Sequence, residues 1–301
     1  MKFGRTDEEL ATMPLTYREG LFAGQVALIT GGGRGIGKAI AFQLARLGAR
    51  IAITGRNAER LQATALALRK LGAEVDTHVM TIRDSEQAAA TVAGVTKRFG
   101  RLDLLVNNAG GQFPQAAIDF KPKGWNAVID TNLNGTWYMM QAAAQFWRDS
   151  PVLVPAPAPA GNAAPTPAPD TPSRAIVNIV AVVGRGMPGI AHASAARAGV
   201  ISLSQTVAIE WAPLGIRVNC IAPGIIATEG MEVYGDEARA RFPRSNLMRR
   251  FGDVRDVSDA VCYLAGASGG FITGEVISVD GGNHIWGDQW TIPRPAWFDE
   301  S

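Results

Sequence analysis

The first stretch of the chain that could do chemistry is a run of glycines at residues 30–37, which reads TGGGRGIG. It follows a short apolar run, QVALIT, and opens a segment of helical period, KAIAFQLARLG. Glycines are needed between a strand and a helix of this kind because the turn is tight and the backbone must approach a pyrophosphate closely. The helix N-terminus then supplies amide donors and a partial positive charge. The pattern therefore predicts a dinucleotide-binding loop formed by Gly31, Gly33, Arg34, Gly35, Ile36 and Gly37.

The choice between the two nicotinamide dinucleotides depends on the end of the second apolar run, ARIAITG at residues 49–55. An acidic side chain ordinarily stands there and accepts hydrogen bonds from the ribose hydroxyls of NAD. This chain has Arg56 instead, and Arg34 lies inside the glycine run. Guanidinium groups are planar donors that suit a 2′-phosphate, so NADP(H) is favoured over NAD(H). The alternative is that both arginines are solvated loop residues.

A redox reaction on such a cofactor also needs a group that gives or takes a proton, and residues 190–200, IAHASAARAGV, offer few. His192 is a candidate because imidazole titrates near neutral pH, although a helix-capping or surface histidine is the more common alternative. Ser194 lies three residues before Arg197 and could share its helix face. Arg197 itself is a fixed cation that does not readily exchange protons. Tyr138 lies on another helix and is interpreted as a core residue.

The elements that must position these residues follow a regular alternation. Short apolar runs rich in β-branched residues alternate with longer segments of helical period, first over residues 25–110 and again from residue 175 onward. Strands that are apolar on both faces and joined by helices imply a parallel sheet that is covered on each side. We predict an α/β fold, a doubly wound Rossmann fold with about seven parallel strands, in a single domain over residues 1–301.

Three segments depart from this alternation. Residues 151–172 are rich in proline and alanine, which predicts an extended surface insertion remote from the ligand side, with a partner-docking role as the alternative. Residues 227–252 follow a strand on the ligand side and have mixed polarity, which suits a mobile flap over the substrate. Residues 283–301 form a tryptophan-rich C-terminal tail.

Composition excludes several classes of function. The chain has 301 residues, 47% of them hydrophobic, and a formal net charge of +2, which leaves no basic surface of the kind that binds nucleic acid. Cys220 and Cys262 have no metal-ligand spacing, so we predict no metal site and a reducing compartment. The polar N-terminus does not suit a signal peptide, and no apolar run reaches membrane-spanning length. We therefore expect a cytoplasmic protein with no membrane partner.

Motifs spread along nearly the whole chain resemble the short-chain dehydrogenase/reductase family. TGGGRGIG matches the family's TGxxxGxG pattern, the NNAG at residues 107–110 follows the fourth predicted strand, and the PGxxxT at residues 223–228 follows the sixth. The resemblance also implies a homotetramer. Several stretches, among them HASAARAGV, are similar to peroxisomal trans-2-enoyl-CoA reductase and its bacterial relatives, and to 2,4-dienoyl-CoA reductases. The cofactor contacts that the resemblance implies are Ile82, Asn108, Ala109, Gly110, Pro223, Gly224, Ile226, Thr228 and Arg197.

The resemblance also makes one departure visible. Family members ordinarily carry a tetrad of asparagine, serine, tyrosine and lysine. Alignment of the AGV that follows Arg197 puts this arginine at the position of the lysine, and Ala193 stands four residues earlier, where the tyrosine belongs. Val180 and Ala181 occupy the candidate positions of the serine, and only Asn132 retains the family's residue. Cofactor binding by Arg197 survives these changes, but general acid catalysis by a tyrosine at this helix does not.

Three functions remain compatible with this pattern. Conjugate reduction of an acyl thioester needs donors on the thioester oxygen while the α-carbon takes its proton from elsewhere, so a site without this tyrosine can support it. We therefore expect an NADPH-dependent reductase of α,β-unsaturated acyl thioesters of the enoyl-CoA type. The alternatives are a ketone or alcohol oxidoreductase with an unusual proton route, and a catalytically silent NADP(H)-binding protein.

Overall fold

The structure is a computed structural model that describes residues 3–150, 174–286 and 291. The predicted proline-rich insertion at residues 151–172 lies outside the described residues, as does most of the predicted C-terminal tail at 283–301. Within the described residues, no helix is long and apolar enough to cross a membrane.

Seven strands form one parallel sheet in the order β3-β2-β1-β4-β5-β6-β7. The order reverses beside β1, because the chain moves outward through β2 and β3 and then returns to place β4 on the other side. At such a reversal the loops after the strands separate and leave a crevice for a ligand. The predicted doubly wound Rossmann fold is confirmed. The strands are β1 (Val26–Thr30), β2 (Arg50–Gly55), β3 (Val75–Val79), β4 (Leu104–Asn107), β5 (Arg174–Ile179), β6 (Ile216–Pro223) and β7 (Val276–Val279).

Helices cover both faces of the sheet. One hydrophobic core lies between the sheet and α2, α3 and α9, and a second lies between the sheet and α4, α6 and the C-terminal half of α7. Strands β1, β4 and β5 are buried along their whole length, which explains their continuous apolar runs. The helices of the described residues are α1 (Asp7–Thr12), α2 (Gly35–Arg46), α3 (Ala58–Lys70), α4 (Ser85–Phe99), α5 (Pro122–Ile129), α6 (Gly135–Asp149), α7 (Ala191–Trp211), α8 (Asp236–Arg241) and α9 (Val254–Ala265).

Local capping explains where several helices begin. The Asn57 side chain accepts a hydrogen bond from the amide of Arg60 at the start of α3. Asp253 is the N-cap of α9 and forms a capping box, in which the Asp256 carboxylate accepts a hydrogen bond from the Asp253 amide. Strand β5 is shorter than the apolar run at 175–182 predicts and ends at Ile179, because the chain leaves the sheet there toward α7.

Arg174 ties together the two chain ends that flank residues 151–173. Its guanidinium donates to the carbonyl oxygens of Trp147 and Ser150 at the end of α6, while its backbone lies in β5. This junction is at the N-terminal end of β5, opposite the strand ends that open onto the crevice.

We therefore expect that replacing residues 151–173 with a short Gly/Ser linker leaves the fold and cofactor binding intact. The flanking ends are already held together, and shortening a loop changes its closure entropy by only about 0.6 kcal/mol for each halving of its length. Thermal unfolding and NADPH titration of the shortened chain check this expectation. A loss of NADPH affinity greater than about tenfold would show that the insertion contributes to the site.

Candidate active site

A crevice with a volume of about 520 Å³ lies beside the reversal of strand order, at the carboxyl ends of β1, β2, β3 and β4. Its walls come from the loops that follow these strands and from the segment after β6. Among the residues predicted to bind the cofactor, those that line it are Gly31, Gly33, Arg34, Gly35, Ile36, Arg56, Ile82, Asn108, Ala109, Gly110 and Thr228.

The glycine loop is held in place by the strand beside it and by the loop after β4. The amides of Gly31 and Gly32 both donate to the carbonyl oxygen of Thr54, at 2.8 and 3.2 Å. Gly31 has a φ of +68°, which side-chain-bearing residues rarely adopt. A Cβ on Gly37 would lie 2.4 Å from the side-chain nitrogen Nδ2 of Asn108, so this position requires glycine for close packing.

Thr30 and Asn108 connect the two loops. The Thr30 hydroxyl accepts hydrogen bonds from the amides of Asn108 and Ala109, each at 3.0 Å. The Asn108 side chain donates to the carbonyl oxygens of Thr30 and Gly31. The backbone of the glycine loop is therefore preorganised and leaves room for a pyrophosphate group to approach the start of α2.

Cationic side chains line the adenosine end of the crevice. Arg34 and Arg56 stand there, as predicted, and the sequence analysis missed Arg60 on α3 and Arg83 after β3. Within residues 3–150 and 174–286, none of Arg34, Arg56 and Arg60 belongs to an ion pair. The N-cap Asn57, directly after Arg56, was the available signal for Arg60, because it fixes the first turn of α3 against the loop. The positive charges suit a phosphate.

Five predicted cofactor residues do not line the crevice, namely Gly37 on α2, Arg197 on α7, Pro223, Gly224 and Ile226. Pro223 ends β6 in the sheet, and a Cβ on Gly224 would lie 2.7 Å from the Cα of Asp280, so Gly224 serves close packing against the turn after β7. Ile226 lines a separate cavity beside Gly252. The structure therefore does not bring Pro223, Gly224 or Ile226 onto the wall of the crevice.

Asn132 lies in a π-helical turn, Asp130–Asn134, between α5 and α6. This turn widens the helix and aims the fully buried asparagine side chain at the loop after β4. Its Oδ1 accepts from the Gly111 amide at 2.9 Å, and its Nδ2 donates to the Gly111 carbonyl oxygen at 3.0 Å. Asn132 therefore fixes the backbone of this loop. The spacing of apolar residues in the sequence does not predict this π-helical turn.

Among the residues that the structure describes, Arg197 is a buried cation with no counter-charge. It is only 9% exposed, and its Nη1 makes no hydrogen bond within this part of the chain. Burial lowers its pKa to about 10, so it still carries its charge at neutral pH. The nearby Cys220 thiol does not balance that charge, because burial raises the pKa of Cys220 to about 11.

The Arg197 guanidinium faces the same loop that Asn132 holds. A Cβ on Gly110 would lie 2.0 Å from Nη2 of Arg197 and 2.9 Å from Oδ1 of Asn132. Gly110 must therefore be glycine for the cation to reach the crevice wall. An unpaired buried guanidinium costs stability unless a ligand supplies acceptors, so Arg197 fits a role in holding the oxygens of a bound dinucleotide.

The start of α7 is apolar where the resemblance implies a tyrosine. Ala193 is buried and packs against Val128 and Ile190. Ser194, one residue on, is half-buried. Neither side chain offers the crevice a phenolic or imidazole proton.

His192 is fully buried, and it is neither a surface residue nor a helix cap. Its ring is packed against Phe113 and Phe120, with centroid distances of 4.7 and 4.4 Å. Nδ1 accepts from the Ala193 amide, while Nε2 makes no hydrogen bond. Burial lowers the pKa of His192, because the imidazolium would lose its hydration. The predicted catalytic role of His192 would require the ring to leave this aromatic contact.

Residues 227–252, which the sequence predicts to be a flap over the substrate, follow β6 and are called the flap below. Its two ends are joined, because the Ala227 amide donates to the carbonyl oxygen of Gly252 and the Gly252 amide donates to the carbonyl oxygen of Ile225. Thr228 and Glu229 line the crevice. The Glu229 carboxylate, which the sequence analysis missed, has a buried Oε2 without a partner, 3.7 Å from where a Cβ of Gly35 would lie. Thr228 and Glu229 therefore bring this segment to the wall of the crevice beside Gly35.

Two family models match the chain. The model for short chain dehydrogenase matches residues 25–152, and the model for enoyl-(acyl carrier protein) reductase matches residues 160–284. Together they cover both halves of the sheet.

Relatives of known sequence match over nearly their full length. The chain is 36% identical to a probable 2,4-dienoyl-CoA reductase of Bacillus subtilis (strain 168) over 90% of this chain and 98% of that protein. It is 34% identical to the 3-oxoacyl-[acyl-carrier-protein] reductase FabG of Staphylococcus aureus (strain N315), over 86% of this chain and 98% of the other.

A solved structure with a bound cofactor is also similar. It is a short chain dehydrogenase from Burkholderia cenocepacia J2315 in complex with NADP, and it has a TM-score of 0.74 and 29% identity. The match covers 87% of this chain and 98% of that chain.

We expect Arg197→Met to stabilise the ligand-free protein and to weaken cofactor binding. Methionine fills a similar volume without a buried charge, which should raise Tm by about 2 °C or more, while NADPH loses its buried donor. Thermal unfolding and fluorescence titration measure the two effects.

Arg217→Met is the matched control, because the Arg217 guanidinium donates to the carbonyl oxygens of Leu264, Ala265 and Gly269. Its loss should lower Tm. If Arg197→Met lowered Tm as much as the control, the guanidinium of Arg197 would be satisfied within the protein and the expectation would be wrong.

Proposed function

The chain belongs to the short-chain dehydrogenase/reductase family and is therefore an oxidoreductase, and from that premise we propose that it is an NADPH-dependent reductase of α,β-unsaturated acyl thioesters of the enoyl-CoA type. The observation that carries the proposal is the buried Ala193 beside the buried cation Arg197. The cofactor-holding cation is retained, while the helix position that ordinarily protonates a substrate oxygen is apolar.

The residues that line the crevice fit NADP(H). The preorganised backbone of the glycine loop would hold the pyrophosphate, and Arg34 and Arg56, with Arg60, would hold the 2′-phosphate. Arg197 would hold the ribose oxygens of the nicotinamide half. When bound, the reduced nicotinamide supplies a hydride.

The apolar start of α7 favours conjugate reduction over ketone reduction. Reduction of a ketone requires a proton on the carbonyl oxygen as the hydride arrives, and a positioned acid contributes about 10²- to 10⁴-fold. Reduction of a 2-enoyl thioester places the hydride on the β-carbon and the proton on the α-carbon. The thioester oxygen then needs only hydrogen-bond donors, while the proton donor can stand on another element.

The relatives support a thioester substrate. The Bacillus subtilis relative is named for a CoA thioester, and the Staphylococcus aureus relative is named for an acyl-carrier-protein thioester. The 227–252 flap, which reaches the crevice wall through Thr228 and Glu229, would cover the acyl chain. We further propose a cytoplasmic homotetramer from the family resemblance; the exposed side chains of Ile209 and Phe271 would be available for contacts between subunits.

The substrate is tested with the purified wild-type chain. NADPH oxidation is followed with crotonyl-CoA and longer 2-enoyl-CoAs and, in parallel, with acetoacetyl-CoA and a panel of simple ketones. We expect saturated acyl-CoA as the product, identified by mass spectrometry. Turnover of the ketones alone would indicate a ketone reductase, and NADPH binding without any turnover would indicate a silent binding protein.

The cofactor choice is tested with Arg56→Ala. Loss of a guanidinium from the 2′-phosphate should weaken NADPH binding by about tenfold or more and should leave NADH binding nearly unchanged, so the ratio of the two Kd values is its own control. Equal weakening of both cofactors would show that Arg56 does not distinguish them.

A further inference from the structure

The chain contains four tyrosines, and all four lie in the described residues. The contacts of three of them lie away from the loop after β4. The Tyr17 hydroxyl donates to the Asp259 carbonyl oxygen, Tyr138 packs against the core beneath α6, and Tyr263 is 39% exposed on α9. Tyr234, on the flap, is the one whose hydroxyl reaches the loop after β4.

Tyr234 is held on the flap by two kinds of contact. Its ring packs edge-on against Phe242, with centroids 5.2 Å apart, and its amide donates to the Met231 carbonyl oxygen. Its hydroxyl oxygen accepts a hydrogen bond of 2.9 Å from Nε2 of Gln112. Because the phenol oxygen accepts this bond, its own hydrogen is left to donate elsewhere.

Gln112 directly follows two glycines whose backbone contacts Asn132 and Arg197. The preceding residue, Gly111, is held through both its amide and its carbonyl group by Asn132. The residue before that, Gly110, contacts the Arg197 guanidinium. The Tyr234 hydroxyl is therefore joined by one side chain to the segment that Asn132 and Arg197 organise.

We propose that Tyr234 is the proton donor of the enoyl reduction, so that the flap supplies the phenol that α7 lacks. The inference rests on the function proposed above. The Tyr234 hydroxyl would reach the substrate from the flap when the flap lies over the crevice. Gln112 is a positioning residue that orients the phenol.

The step balances without a further reactant. The hydride forms a C–H bond at the β-carbon, and the electron pair of the double bond moves into the enolate of the thioester. The enolate α-carbon then takes the phenolic proton as the O–H bond of Tyr234 breaks. The Gln112 amide donates to the resulting phenolate, and water returns the proton, because this hydrogen bond is open to solvent.

Tyr234→Phe tests the role, with Tyr263→Phe as the matched control. We expect the first variant to lower kcat with crotonyl-CoA by about 100-fold or more, with little change in KM or in NADPH affinity, and the second to retain wild-type values. NADPH affinity is measured by fluorescence titration, which also verifies that each variant is folded. Gln112→Met should lower kcat less strongly, because the phenol is kept but no longer oriented.

The source of the proton is read directly from the product. In D₂O, the wild type should place deuterium on one face of the α-carbon, and Tyr234→Phe should lose that facial selectivity, as measured by NMR. A structural role for Tyr234 would leave the selectivity unchanged. Three results overturn the inference: kcat of Tyr234→Phe within about twofold of wild type, a change confined to KM, or retained selectivity. A wild type inactive on every 2-enoyl-CoA would instead refute the proposed function, and the inference with it.

Discussion

The site is organised around one uncompensated charge. Arg197 keeps its guanidinium out of water without an anionic partner among the residues that the structure describes, so the protein holds a cation that only a ligand can satisfy. Its neighbours follow from that constraint. Gly110 leaves room for the guanidinium, and the π-helical turn aims Asn132 at the adjoining backbone. The buried charge lowers the free energy of unfolding of the ligand-free protein. In return, the empty site is already complementary to what it binds.

In the proposed reaction, the cofactor and the proton donor are held by different parts of the fold. The glycine loop, β1 and the loop after β4 are connected by hydrogen bonds through Thr30 and Asn108, and they form part of the main core. The start of α7, equally rigid, is apolar at Ala193. In the proposed reaction, proton transfer falls to the flap, whose Tyr234–Gln112 hydrogen bond is exposed while its base is fixed by backbone hydrogen bonds at Ile225, Ala227 and Gly252. A reaction with such a division tends to be timed by loop movement as well as by chemistry.

Local pattern in the sequence was sufficient for the sheet, for the helix that begins at Val254 and for the glycine loop, because periodicity and turn chemistry decide these features residue by residue. It did not reveal Tyr234 beside Gln112, since the two lie 122 positions apart and meet only when the flap folds back. The burial of His192 between two phenylalanines was equally hidden, because those rings come from a loop without periodic signal. Features built from several loops depend on tertiary packing, which one-dimensional spacing does not encode.

The joined ends of the flap have an evolutionary consequence. Because Ile225, Ala227 and Gly252 bond to one another across its base, and the Leu247 amide donates to the Gly281 carbonyl oxygen after β7, the residues between them lie on a fixed frame. Exchange of these residues among relatives would alter substrate range while the dinucleotide cradle stayed intact. Diversification of substrate range in this lineage is therefore expected to concentrate in residues 227–252 rather than across the scaffold.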